Sequence, residues 1–202
     1  SLLPLAFHPS FRNASAAARF VRSRRQKDNP FCLVYSCHEP HLPFISPRPF
    51  DSIISPSEVK LPENPLDASA ARLMAKRSMD WQLKSTARFR EEEILSIRAA
   101  YMGAVAYVDH LVGIILEALI DTNQFEDTLF IFTSDHGEML GNHGMIAKGA
   151  VLYEELMNIP LLVHPPGKEG KASLCHSLVS HIDLLPTILH WCGLEVPSNL
   201  SG

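Results

Sequence analysis

Thr128-Leu129-Phe130-Ile131-Phe132-Thr133-Ser134-Asp135-His136-Gly137 is the stretch that sets the fold. Its first six residues are apolar, aromatic or β-branched, the mark of a buried strand. The run stops at a polar cluster, where Gly137 allows a sharp backbone turn. Upstream, Glu91-Glu92-Glu93 opens a helix, with acidic residues at the positive end of its dipole. Ile94, Ile97, Tyr101, Val108, Leu111, Ile115 and Leu119 follow at helical steps and form one apolar face. Downstream, Ile159 to His164 predicts a further strand, closed by Pro165-Pro166-Gly167. Residues 181–193 predict a helix with Ile182, Leu185, Ile188 and Leu189 inward.

The first third of the chain fits the same pattern. Residues 14–27 predict a helix with Phe20 and Val21 inward, stopped by Asn29-Pro30. Phe31 to Ser36 predicts a buried strand. Six prolines between Pro40 and Pro62 predict an irregular loop, and the polar segment 67–90 predicts partial helix. Strands alternating with helices indicate an α/β protein, with a mainly parallel sheet sandwiched by helices.

Composition narrows the function. The chain has 202 residues, 46% hydrophobic and 20% charged, enough for a sizeable core and against a disordered tail or a disulfide-stapled miniprotein. Lys+Arg number 18 against 22 Asp+Glu, a net charge of −4, so nucleic acid is not an expected partner. No apolar run approaches the ~18 residues of a membrane span, so none is expected. Cys32, Cys37, Cys175 and Cys192 lack CxxC spacing and are expected as free thiols in or near the core. The start, Ser1-Leu2-Leu3-Pro4, has neither initiator Met nor charged leader, and the chain stops abruptly at Ser201-Gly202. Residues 1–202 are therefore expected to be a partial domain, truncated at both ends.

Histidine is the unusual count, at ten. Histidines carry protons near neutral pH and bind metals. Four of them fall at two predicted strand ends, where open α/β sheets place their ligands. One cluster is His38-Glu39-Pro40-His41-Leu42-Pro43-Phe44, and the other runs from Asp135-His136 through His143 to Lys148. The carboxylate of Asp135 and the imidazole of His136 can ligate Zn²⁺ or Mn²⁺, whereas Ca²⁺ prefers oxygen donors. The pair alone is too small for a site and also reads as a turn cap beside a packed ring. Lys148 suits an anion such as sulfate or phosphate, though its alternative is a surface lysine. His38 or His41 could give a proton to a leaving group, or serve only structure. Glu138 reads as solvated, and His143 as support for the turn.

In order, these pieces resemble the sulfatase family of the alkaline-phosphatase-like superfamily. The matching segments are Phe31 to Phe44, Tyr101 to Leu119, Phe132 through Gly144 to Lys148, Ile159 to Gly167, and His181 to Leu189. The resemblance implies an alkaline-phosphatase-like α/β fold, here incomplete, and metal-dependent hydrolysis of a sulfate ester or sulfamate. It implies that Asp135 and His136 ligate a divalent cation, calcium by family habit, with Mn²⁺ or Zn²⁺ as alternatives. It implies that His41 and Lys148 contact the sulfate group and the leaving-group oxygen. The substrate would be a small-molecule or carbohydrate sulfate ester. The family nucleophile is a formylglycine made from Cys or Ser in a Cys/Ser-x-Pro/Ala-x-Arg motif. No cysteine here has Pro or Ala two residues on and Arg four on. The nucleophile and the further acidic ligands are therefore expected upstream of this chain. The Asp-His pair, where many sulfatases have Asp-Asn, also fits phosphonate or phosphate ester hydrolases of the superfamily.

Overall fold

The structure is a computed structural model that describes residues 4–24, 29–63, 84–86, 89–167 and 172–202. The chain forms two compact units, one of residues 1–125 and 136–158, the other of 126–135 and 159–202.

Two helices make the core of the first unit. Helix α1 (Pro9–Ser23) starts on a proline, tolerated there because the first helical N–H has no partner in any case. Its buried face is Ala14, Ala17, Ala18 and Val21. These small side chains let helix α2 (Glu91–Asp121) approach closely. The Glu93 carboxylate accepts from the Arg90 backbone N–H at 2.8 Å and caps the start of α2. The Thr122 hydroxyl donates to the Ala118 carbonyl at 2.7 Å at its end. Ala14, Tyr107 and Leu111 are fully buried together, with Phe11, Tyr35 and Phe50 packed around them. A Cβ on Gly103 would overlap the Phe50 carbonyl, so the glycine is what lets the loop at Phe50 lie on α2.

The helix expected over 14–27 thus begins earlier, at Pro9, and residues 25–28 lie outside the described ones. Phe20 is 39% exposed, not inward, and meets Phe31 edge-to-face with ring centroids 5.3 Å apart. The expectation that no apolar run reaches membrane-span length needs correction. An 18-residue window of α2 has a mean hydropathy of 1.7, long and apolar enough by composition to cross a membrane. The isolated charges within α2 do not lower that average enough; Ala104, Tyr107, Leu111, Ile115 and Ala118 are buried, and the helix packs on α1.

Phe31 to Ser36 forms no strand and pairs with none among the described residues, and Val34 is 84% exposed. An apolar run records a preference for burial, not the partner that supplies it. The partly helical segment expected over 67–90 falls almost wholly outside the described residues. Within it, the backbone of β1 (Lys84–Ser85) pairs antiparallel with β3 (Met145–Ile146). A one-turn helix, α3 (Glu154–Met157), completes this unit and buries Leu156 on Met139 and Met145.

In the second unit, β2 (Phe130–Thr133) pairs antiparallel with β4 (Leu161–His164), Phe130 opposite His164 and Thr133 opposite Leu161. The Thr133 hydroxyl donates to the Pro160 carbonyl at 2.9 Å and closes that register. A 3₁₀ turn (His181–Asp183) leads into α4 (Leu184–Trp191), with the Asp183 carboxylate accepting from the Ser180 N–H at 2.7 Å. Both described strand pairs are antiparallel, where alternation of strands and helices had predicted parallel neighbours. The connection between β2 and β4, residues 134–160, holds the one-turn helix α3 and no long crossover helix of the kind that joins parallel neighbours.

Candidate active site

The site residues of the first unit lie on two loops. In the first loop the His41 N–H donates to the His38 carbonyl at 2.9 Å, which turns the chain and brings the two rings to 4.5 Å. His41 Nδ1 lies 2.7 Å from the Leu42 carbonyl oxygen. A carbonyl can only accept, so Nδ1 carries the proton and Nε2 is the nitrogen left for chemistry. Phe44 meets Tyr101 of α2 edge-to-face at 5.3 Å and ties this loop to the long helix.

The second loop runs from His136 to Lys148. The Gly137 and Glu138 N–H groups donate to the Leu156 and Glu155 carbonyls at 2.9 and 3.1 Å. A Cβ on Gly137 would overlap the Glu155 carbonyl, so only glycine allows this approach. His136 Nδ1 donates to the Gly137 carbonyl at 2.7 Å, which turns Nε2 toward Lys148. Lys148 Nζ lies 2.5 Å from that Nε2. The rings of His41 and His136 are 6.2 Å apart. Three of the predicted residues, His41, His136 and Lys148, are therefore brought together within this unit, and His38 stands beside them. His143 supports the turn as expected: its Nε2 lies 3.1 Å from the Glu155 carboxylate and its ring stacks on Tyr153 at 4.1 Å.

Asp135 is exposed and is the last residue of its segment of the second unit, joined to His136 by one peptide bond. His181 Nε2 lies 2.8 Å from the Ser134 carbonyl and holds the backbone beside Asp135. The sequence had assigned His181 no role. Among the described residues no three His, Cys, Asp or Glu are gathered as a metal cluster. The donor chemistry nevertheless fits one ligand. A backbone-anchored Nδ1–H makes Nε2 the acceptor atom of the ring, the arrangement usual for a metal-ligating histidine; here that lone pair accepts from the Lys148 ammonium, which a bound cation would displace. A carboxylate followed by an imidazole suits Mn²⁺ or Zn²⁺ better than Ca²⁺.

Two residues that sequence reading missed support the second loop. Glu138 is not a solvated acid. Its Oε1 accepts from the Leu140 and Ala147 N–H groups at 3.2 and 2.5 Å. Burial raises its pKa against the pull of those two donors and of His136 and His41. Arg98 reaches from α2 and donates to the Leu140 carbonyl at 2.7 Å, and burial lowers its pKa. The available signal was a lone cation inside an otherwise apolar helix stripe.

The letters of the nucleophile motif do occur once, at Ser15-Ala16-Ala17-Ala18-Arg19. This stretch lies inside α1, and Ser15 lines a surface groove with Pro9, Arg12 and Arg19. That groove includes none of His41, His136 or Lys148. The match is one of letters and supplies no nucleophile to the site.

Comparison with known proteins gives the relationship. The Sulfatase family model matches residues 12–194. The chain belongs to the sulfatase family. It is 32% identical over 216 residues to the multifunctional alkaline phosphatase superfamily protein PehA of Trinickia caryophylli, covering 100% of this chain and 41% of that protein. It is 33% identical over 191 residues to the uncharacterized sulfatase YidJ of Escherichia coli K12, covering 95% of this chain and 37% of that one. Among solved structures it resembles the phosphonate monoester hydrolase of Silicibacter pomeroyi, with a TM-score of 0.83 at 25% identity. That likeness covers 99% of this chain and 41% of the hydrolase. The alkaline-phosphatase-like class expected from the sequence stands on these neighbours. The sulfatase chain described here spans about two fifths of the length of the relatives it matches.

Proposed function

We propose that this chain carries the anion-binding part of a hydrolase that cleaves sulfate esters or sulfamates. The supporting observation is the convergence of Lys148 Nζ, His136 Nε2 and the His41 ring in one unit. A sulfate ester presents a compact anion and a leaving-group oxygen. The Lys148 ammonium supplies positive charge where the anion's oxygens sit. His41, protonated at Nε2, gives that proton to the departing oxygen, while its Nδ1–H stays on the Leu42 carbonyl and fixes the ring. Asp135 and His136 would hold a divalent cation, and that cation supplies further positive charge to the reacting group. Its identity, Ca²⁺ by family habit or Mn²⁺ or Zn²⁺ by donor type, is open to direct metal analysis. The net reaction takes up water and yields an alcohol, sulfate and a proton. The nucleophile in this reading is a formylglycine contributed by a segment preceding Ser1. The 202-residue chain would then be a partial catalytic domain.

A second reading is hydrolysis of a phosphonate or phosphate ester. It is favoured by the Asp135-His136 pair and by the likeness to a phosphonate monoester hydrolase.

The test uses the chain by itself and the same chain extended N-terminally to its natural start. Each is assayed on an aryl sulfate and on an aryl phosphonate monoester, with metal content measured in parallel. Turnover of the sulfate by the extended protein alone, lost in Asp135→Ala, is the expected result. Preference for the phosphonate selects the second reading. Turnover by the isolated chain, abolished by Asp135→Ala, overturns the need for an upstream nucleophile.

A further inference from the structure

The loop that seats Lys148 is closed by a single carboxylate. Glu138 Oε1 accepts both the Leu140 and the Ala147 N–H, spanning nine residues in the second case. Ala147 is buried and holds φ at +72°, a left-handed conformation unfavourable for any residue with a Cβ. Leu140 is also left-handed, at φ +46°. Such backbone persists only where its surroundings over-determine it. Here both polar groups of Ala147 are engaged, since its carbonyl accepts from the Met139 N–H at 3.2 Å. Lys148 is the next residue, and its ammonium lies on His136, which is two residues before Glu138. The carboxylate thus fastens both ends of the loop whose two ends carry His136 and Lys148.

We propose that Glu138 is a positioning residue: by holding the Ala147 N–H, its carboxylate seats the Lys148 ammonium on the His136 ring. Its catalytic meaning rests on the hydrolase reading above, but the geometry does not. An acceptor oxygen is the essential feature, and two donors converging on it favour a charged one. Glutamine keeps an oxygen at the same reach. Aspartate keeps the charge but is one methylene short of spanning both donors. Alanine removes the acceptor.

The test is lysine acetylation of the 202-residue chain, followed residue by residue by mass spectrometry, with exposed Lys60 as internal reference. In Glu138→Ala the rate at Lys148 relative to Lys60 rises about tenfold, as loss of a charge-assisted hydrogen bond implies. In Glu138→Asp it rises by several-fold, on the same ground of a partly lost acceptor. In Glu138→Gln it stays within about twofold of the parent. The ¹⁵N resonance of His136 Nε2 moves in the first two variants and not in the third, while that of His8 stays put throughout. A folded Glu138→Ala with unchanged Lys148 labelling overturns the proposal, as does a Gln variant that frees Lys148 as fully as Asp. Should Glu138→Ala fail to fold, the Asp–Gln contrast decides. Labelling needs no turnover. Failure of the hydrolase assays therefore leaves it standing, and a failed labelling result leaves the hydrolase reading intact.

Discussion

Lys148 Nζ lies 2.5 Å from Nε2 of His136, a residue twelve positions earlier at the other end of the same loop. In the proposed reading, Lys148 as an anion's counter-charge and His136 as a metal's donor would thereby lie side by side. In the N-terminally extended protein, Lys148→Met is expected to lower kcat/KM for an anionic ester by about 10²–10³-fold. Lys148→Arg should restore little, because a planar fork does not replace a compact ammonium in a loop of this shape. Steady-state kinetics on the two variants checks both. A Met variant within about threefold of the parent removes Lys148 from the anion pocket.

Two glycines of α2 should respond in opposite directions. A Cβ at Gly103 meets the Phe50 carbonyl, which is backbone and cannot step aside cheaply. Gly103→Ala is expected to destabilise the chain by about 1–3 kcal/mol. At Gly113 nothing lies within 4 Å of an added Cβ. Gly113→Ala should instead stabilise it by about 0.5–1 kcal/mol through helix propensity. Urea denaturation of both variants gives the sign directly.

Tyr107 is fully buried, and its hydroxyl is hydrogen-bonded to His8 Nδ1 at 3.0 Å. Burial, with the nearby Glu39 carboxylate, pushes its pKa far above the ordinary phenol value, so it stays protonated. Glu39 in turn accepts from Ser10 Oγ, so this network anchors the turn that carries His38 and His41. Tyr107→Phe keeps the packing and deletes one bond, and should cost about 1 kcal/mol. Denaturant titration against the parent measures it. A stability loss near zero would mean that His8 repairs its bond to Glu39, 3.6 Å away.

The thiols should separate by pH. The Cys175 thiol is exposed, and the Ser177 N–H and hydroxyl lower its pKa. Burial raises the Cys37 pKa, with the Glu39 carboxylate adding to the effect. Only the thiolate alkylates, so at neutral pH Cys175 reacts first, and Cys37 follows as pH rises. Iodoacetamide labelling across a pH series, read by mass spectrometry, should show that order, and its reversal contradicts the assignment.

The long helix and the placement of His41, His136 and Lys148 were legible in the sequence for a common reason. Periodicity reports a face, and an ordered series of short motifs reports a shared fold. Glu138 was illegible because its role depends on backbone angles. Leu140, His143 and Ala147 all have positive φ, and none is a glycine, so no letter announces the turns. Phe20 and Phe31 to Ser36 were misread for a different reason. Hydrophobicity states a demand for burial, and the two residues Phe20 and Phe31 meet it partly on each other. Burial of Val34 needs a neighbour that the described residues do not place there.

The β2–β4 ribbon carries a similar unmet demand. Leu162 is 63% exposed and Val163 45%, and among the described residues each of the two strands pairs only with the other. A two-stranded ribbon with open edges and apolar side chains exposed on both faces is a template for recruiting further strands. Expressed as these 202 residues, the protein should bind chaperones and self-associate as its concentration rises. Its solubility, more than its catalysis, would then govern how it behaves in the hands of an experimenter.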